Sequence, residues 1–157
     1  MPMPPSKLLK EKKISEIINT RMIQAPSTAS VAEALDLMRR ETSLYLVITK
    51  GKKAVGIFTE TDFIQKVLGR GVDLKRPITD FMTKDPLVLQ SQDTVGTAVD
   101  LMAEHGFYHV PLVDEKKELA GILSVRTVIR FLAEFYPAEV YNLPPNPHQV
   151  AETAEGG

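Results

Sequence analysis

The chain has 157 residues, 43% of them hydrophobic, and its 19 Lys and Arg against 20 Asp and Glu leave a formal net charge of −1 at pH 7. That composition fits a packed globule, and with no basic excess nucleic acid is not an expected partner. With no cysteine there are no disulfides, thiolate metal sites or cysteine nucleophiles, and no apolar run approaches the roughly 20 residues that span a bilayer, nor does a signal-peptide apolar region open the chain, so a soluble, cytoplasmic protein is expected.

The opening MPMPPS reads as disordered, and Lys7, Lys10, Lys12 and Lys13 read as a solvated helix face. Residues 1–13 form an N-terminal extension. A short helical start over 14–20 leads to a brief apolar strand near 22–25. A helix follows, N-capped by Ser30 with Glu33 in the capping-box position. Its apolar face is Val31, Ala34, Leu35 and Met38, the i, i+3, i+4, i+7 pattern. A hairpin pairs residues 45–49 with 54–58 around KGKK. Phe63, Ile64, Val67 and Leu68 then mark a closing helix that ends at Gly69.

The same order then recurs. ISEIINTRMIQAPSTASVAEALDLM (14–38) lies without a gap on ITDFMTKDPLVLQSQDTVGTAVDLM (78–102). The second copy has a helical start over 78–83 and a strand near 87–89. Its first helix is capped by Thr94 and carries Val95, Ala98, Val99 and Met102 on its apolar face. A hairpin of 110–113 with 119–123 turns at DEKK. The closing helix shows Val128, Ile129, Leu132 and Phe135 and stops before Pro137. The repeat assigns residues 14–72 to copy one and 73–136 to copy two, with a Pro-rich tail over 137–157. A unit of about 60 residues is marginal alone, so the copies are expected to share one core through their sheets. The stretch FYPAEVYNLPPNPHQV (135–150) mixes proline with Tyr136, Val140, Tyr141 and Leu143. It reads either as a partly ordered tail or as apolar anchors lying along the protein or a second subunit.

Each copy ends on a related motif, GIFTETD (56–62) and GILSVRT (121–127). Together with HVPLVDEKKELAGIL and DFMTKDP, the doubled motif resembles the tandem CBS-domain pair, or Bateman module, from about Ile14 to Phe135. The resemblance implies an α+β fold of two β-α-β-β-α repeats related by pseudo-two-fold symmetry. It implies a regulatory module binding adenine nucleotides (AMP, ADP or ATP) or related ligands, often as a homodimer, and acting on a protein effector. Many members are fused to a transporter or an enzyme. No effector domain is recognised in these residues.

The residues support the same job on physical grounds. The strand ending at Gly56, Ile57 and Phe58 delivers Thr59 to a helix start, where unpaired N–H groups and the dipole favour phosphate. Asp62 offers two acceptor oxygens suited to a ribose diol. The competing reading is a plain capping box made by Thr59 and Asp62 with nothing bound. The resemblance completes this site with Val88, Tyr108, His109 and Pro111 from the other copy. Tyr108 and Val88 would enclose an adenine and His109 would reach a phosphate, although Val88, Pro111, Tyr108 and His109 are each also readable as structural residues. Arg126 would either cross toward the phosphate or face solvent. The second cleft would use Ser124 and Thr127, with Gln24, Ala25, Ser43 and Leu44 opposite. Thr127 cannot accept two hydrogen bonds as a carboxylate does, so this cleft is expected to be weak or empty.

No cofactor is expected beyond the nucleotide as regulatory ligand, and no metal site. No P-loop, dinucleotide-binding glycine fingerprint, zinc spacing or nucleophile elbow occurs. His105 lies at a helix end and His148 in the tail, so an enzyme is not expected. The remaining alternative is an interaction or dimerisation scaffold with degenerate ligand sites.

Overall fold

The computed structural model describes residues 3–18 and 21–135, so the tail and its apolar anchors from residue 136 onward lie outside the described residues. The first half runs β1 (Gln24–Pro26), α2 (Val31–Arg40), β2 (Tyr45–Lys50), β3 (Lys53–Thr59) and α3 (Glu60–Asp62), after an N-terminal helix α1 (Pro5–Glu11). After the connecting strand β4 (Thr83–Lys84), the second half repeats the order as β5 (Leu89–Gln90), α4 (Val95–His105), β6 (His109–Val113), β7 (Leu119–Ser124) and α5 (Val125–Phe135). In each half the first strand pairs parallel with the second, and the second antiparallel with the third. The fold is α+β with two small sheets, ordered β1-β2-β3-β4 and β5-β6-β7.

Local chemistry explains the boundaries. Ser30 Oγ accepts the Glu33 N–H at 3.1 Å and Thr94 Oγ1 accepts the Thr97 N–H at 3.2 Å, so both expected caps form. At DEKK, Asp114 Oδ1 takes the N–H groups of Lys116 and Glu118, both at 2.9 Å, the side-chain turn that Asp favours.

Two expectations about helices are corrected. Of the opening MPMPPS, expected to be disordered, the last two residues are helical. Pro5 and Ser6 already belong to α1, which proline can open because the first helical position needs no N–H partner, and Leu8 is buried beneath it. The closing helix of copy one, marked by Phe63, Ile64, Val67 and Leu68, is not a regular amphipathic helix either. After α3 the chain widens into a π-helical turn over Phe63–Val67, closed by Leu68 N–H donating to Phe63 O at 2.8 Å. Of its four expected core residues only Val67 is fully buried, while Ile64 and Leu68 are 59% and 57% exposed.

Each half has its own core, and the two cores trade their first segments. Ile14, with Leu9, Ile17 and Ile18 beside it, packs among Val95, Ala98, Met102, Val110 and Leu112 of the second half. Ile78, Phe81 and Met82 pack among Val31, Ala34, Leu46 and Phe58 of the first. Backbone bonds hold the exchange: Ile14 N–H to Asp93 O and Val95 N–H to Lys12 O on one side, Val31 N–H to Arg76 O and Ile78 N–H to Ala29 O on the other. A third apolar group, Val47 and Ile57 against Ile122 with Met22, Tyr45, Ala54 and Leu119 around it, joins the two sheets.

The exchange also explains both motif glycines. A Cβ at Gly56 would lie 2.2 Å from Met82 Sδ and 2.8 Å from its Cγ, whereas one at Gly121 would first meet Ile18 Cδ1 at 3.4 Å. Met82 and Ile18 hold corresponding places in the repeat, so each glycine makes room for the segment that crosses from the other copy. Gly56→Ala is therefore expected to overpack and cost about 1–3 kcal/mol, and Gly121→Ala less than half as much. Urea denaturation of the two variants checks the difference.

Candidate ligand-binding site

The two halves leave two clefts between them, each of about 360 Å³. The first opens where β3 ends at Thr59. Asp62, three residues on, folds its carboxylate back along the chain and is only 6% exposed. Its Oδ2 accepts the Thr59 N–H at 3.0 Å and the Thr59 hydroxyl at 3.4 Å. Its Oδ1 accepts Lys66 Nζ at 2.8 Å and the Thr83 hydroxyl at 3.0 Å. The capping bond is thus real, and the carboxylate's four lone-pair positions are all engaged. Lys66 Nζ also donates to Phe81 O at 3.1 Å, tying this corner to the start of copy two.

Of the residues expected here, Ile57, Thr59, Asp62, Tyr108 and His109 line the first cleft together. Phe58 and Pro111 do not reach it, because their side chains are wholly buried. Gly56 is occupied with Met82. Val88 is 40% exposed and lies outside the lining, where its neighbour Leu87 takes the place foreseen for it. Arg126 lines the second cleft and not the first. There it joins Ser124, Thr127, Ser43 and Leu44, but Gln24 and Ala25 are absent from the walls, Ala25 being part of the first core. Arg21 and Ile23 stand in their place.

The helix start offers fewer donors than its sequence suggests. Glu60 N–H already donates to Leu44 O at 3.1 Å, and Thr59 N–H to Asp62. The carboxylates of Glu60, Asp62 and Asp85 face the first cleft against the single cation Lys66, whereas Arg21, Arg126 and Arg130 face the second against Glu41 and Glu60. Glu60, Tyr108 and His109 belong to both clefts and form a common wall. Among the described residues, Glu60 Oε2 is buried with no hydrogen-bond partner. Burial pushes the His109 imidazole below its ordinary pKa, with the Glu60 charge opposing, so the ring is neutral at pH 7. It lies 5.0 Å from the Tyr45 ring, centroid to centroid, and burial pushes the Tyr45 phenol up.

Sequence reasoning missed Glu60, Thr61, Gln65, Lys66, Thr83 and Leu87. Lys66 had a legible signal, the i, i+4 spacing from Asp62 on one helical face. Thr83 lies in the DFMTKDP motif, which says nothing of its contact with Asp62, since it reaches Asp62 only because β4 pairs with β3, Ile57 opposite Thr83. The arrangement can hold a ligand by hydrogen bonds and charge. Among the described residues no group of three or more His, Asp or Glu side chains converges to hold a metal ion, and no helix is long and apolar enough to cross a membrane.

Comparison with known proteins agrees with the fold. The chain is 30% identical over 125 residues to an uncharacterized 17.7 kDa protein of Acidianus ambivalens, covering 79% of this chain and 75% of that one. It is 31% identical over 126 residues to inosine-5'-monophosphate dehydrogenase of Korarchaeum cryptofilum, 80% of this chain but only 25% of the enzyme. Among solved structures, a CBS domain protein from Pyrobaculum aerophilum complexed with AMP superposes with a TM-score of 0.70 at 26% identity, covering 80% of this chain and 99% of that one. The model of the CBS domain matches twice, over residues 14–69 and 78–134, and the chain belongs to the CBS domain family as a tandem pair.

Proposed function

We propose that the chain is a regulatory module that binds an adenine nucleotide, AMP, ADP or ATP, in the first cleft. It passes occupancy on through the packing of its halves or of two chains. The observation that carries this reading is the buried Asp62 carboxylate set into a cleft between the copies, beside the Thr59 hydroxyl, with Tyr108 lining the same cleft. A volume of about 360 Å³ falls in the range of small-molecule sites. Tyr108 is 53% exposed and can cover an adenine, and Leu87 adds a second apolar side chain to the same lining. The Pyrobaculum relative, complexed with AMP, supports the same ligand class. The acidic lining turns the phosphate away from Asp62 and toward the common wall, where His109 is a neutral donor and the arginines of the second cleft lie beyond. A ligand acts as a signal here only by binding one packing arrangement better than another.

Calorimetric titration of the chain with AMP, ADP and ATP is the test. One binding event per chain without turnover is expected. No heat from any of the three, or hydrolysis of the added nucleotide, would contradict the reading.

The scaffold alternative, with degenerate ligand sites, excludes the first reading, but its dimerisation part does not, and one observation favours that part. Ile64 and Ile129, corresponding residues of the two copies, are 59% and 61% exposed, and Leu68 adds to the same kind of surface. We assign these exposed apolar side chains to contact with a second copy of the chain, making a homodimer that a protein effector reads. A native mass spectrum should show twice the 17.4 kDa chain mass. A monomer at every concentration would remove the dimer.

A further inference from the structure

A ribose diol needs two free acceptor positions on Asp62, and the structure fills them. Lys66 Nζ at 2.8 Å and Thr83 Oγ1 at 3.0 Å both sit on Oδ1, while Oδ2 is turned to Thr59. With four donors on four lone-pair positions, a ligand hydroxyl reaches this carboxylate only by displacing one of them. The backbone bond from Thr59 is fixed by the strand end and the helical turn. The Thr83 hydroxyl and the Lys66 ammonium hang on rotatable side chains, and both residues line the same cleft. We infer that Thr83 and Lys66 compete with the ligand's sugar for Asp62, so these two side chains set the affinity and the sugar specificity of the site. This rests on the reading of the first cleft as a nucleotide site.

The exchange balances donor for donor. A cis-diol brings two hydroxyls and replaces two internal donors, so Asp62 keeps a full set of partners. A 2'-deoxyribose brings one hydroxyl and leaves one internal donor in place. Lys66 loses the charged partner that it holds, and Thr83 loses its acceptor. The net gain from gripping the sugar is therefore smaller than an open carboxylate would give. The sequence pattern alone, Thr59 with Asp62, carries no trace of this brake, because one half of it comes from β4.

Calorimetric titration of the full chain and its variants with AMP tests the competition. Thr83→Val keeps the β-branched shape that suits β4 and removes only the hydroxyl, opening one position on Oδ1. It is expected to bind AMP about tenfold more tightly than the native chain, and Thr83→Ser to bind as the native chain does. Thr83→Ala gives the same comparison if the valine chain does not fold. Equal or weaker AMP binding by Thr83→Val and Thr83→Ala, with binding still lost in Asp62→Asn, would overturn the competition and leave the nucleotide site standing. Absence of AMP binding by the native chain and every variant would overturn the site itself, and the competition with it.

Discussion

Asp62→Ala is expected to weaken AMP binding at least tenfold and to destabilise the fold at the same time. Binding falls because hydrogen bonds to a charged acceptor, worth about 1.5–3 kcal/mol each before competition is subtracted, have no substitute at this position. Stability falls because Lys66, Thr83 and the Thr59 N–H all lose the buried carboxylate they share as acceptor. A loss of about 0.5–2 kcal/mol follows from the broken cap, since water can reach Lys66 and Thr83. The two effects separate with Asp62→Asn, which keeps the side-chain shape and one acceptor oxygen. That variant should retain most of the stability in urea denaturation yet still lose the nucleotide, since an amide cannot accept on both sides. Native binding by Asp62→Asn would show that the carboxylate only caps the helix.

Ile14→Ala and Ile78→Ala are expected to cost about 2–5 kcal/mol each, and to do their damage in the opposite copy. Both side chains are fully buried. Ile14 contacts the core built on α4 and β6, and Ile78 the core built on α2, β2 and β3. Native-state hydrogen exchange reads where protection is lost. Ile14→Ala should expose amides of α4 and β6 first, and Ile78→Ala those of α2 and β2. Loss confined to each residue's own sequence repeat would contradict the exchange of segments.

The doubled pattern made the fold legible. The caps at Ser30 and Thr94, the two hairpins and the gapless repeat all state local preferences that tertiary packing kept, and the resemblance to paired CBS domains is borne out by the matched family and the observed sheets. What was illegible is non-local. The repeat boundary read from sequence says nothing of which core Ile14 fills, because apolar periodicity marks a buried face without marking what covers it. The same limit applies at the cleft. Leu87 and not Val88 faces inward, a one-residue matter in an extended segment where neighbours point to opposite sides. The motif sets Gly56 beside the ligand site, but its missing side chain makes room for Met82. The closing segment of copy one lost its apolar face to solvent at Ile64 and Leu68, positions that periodicity alone would bury. Thr83 stands in the DFMTKDP motif, but that motif does not name its partner, which lies 21 residues away across a strand pair.

The function of the first cleft turns on where AMP sits and what holds its sugar. A crystal structure of the chain grown with AMP measures that directly. The ribose hydroxyls are expected within hydrogen-bond distance of Asp62, with the Thr83 hydroxyl and the Lys66 ammonium moved off Oδ1 and the adenine beside Tyr108. AMP seated elsewhere, or a cleft filled by its own side chains with Asp62 still gripped by Thr83 and Lys66, would contradict it.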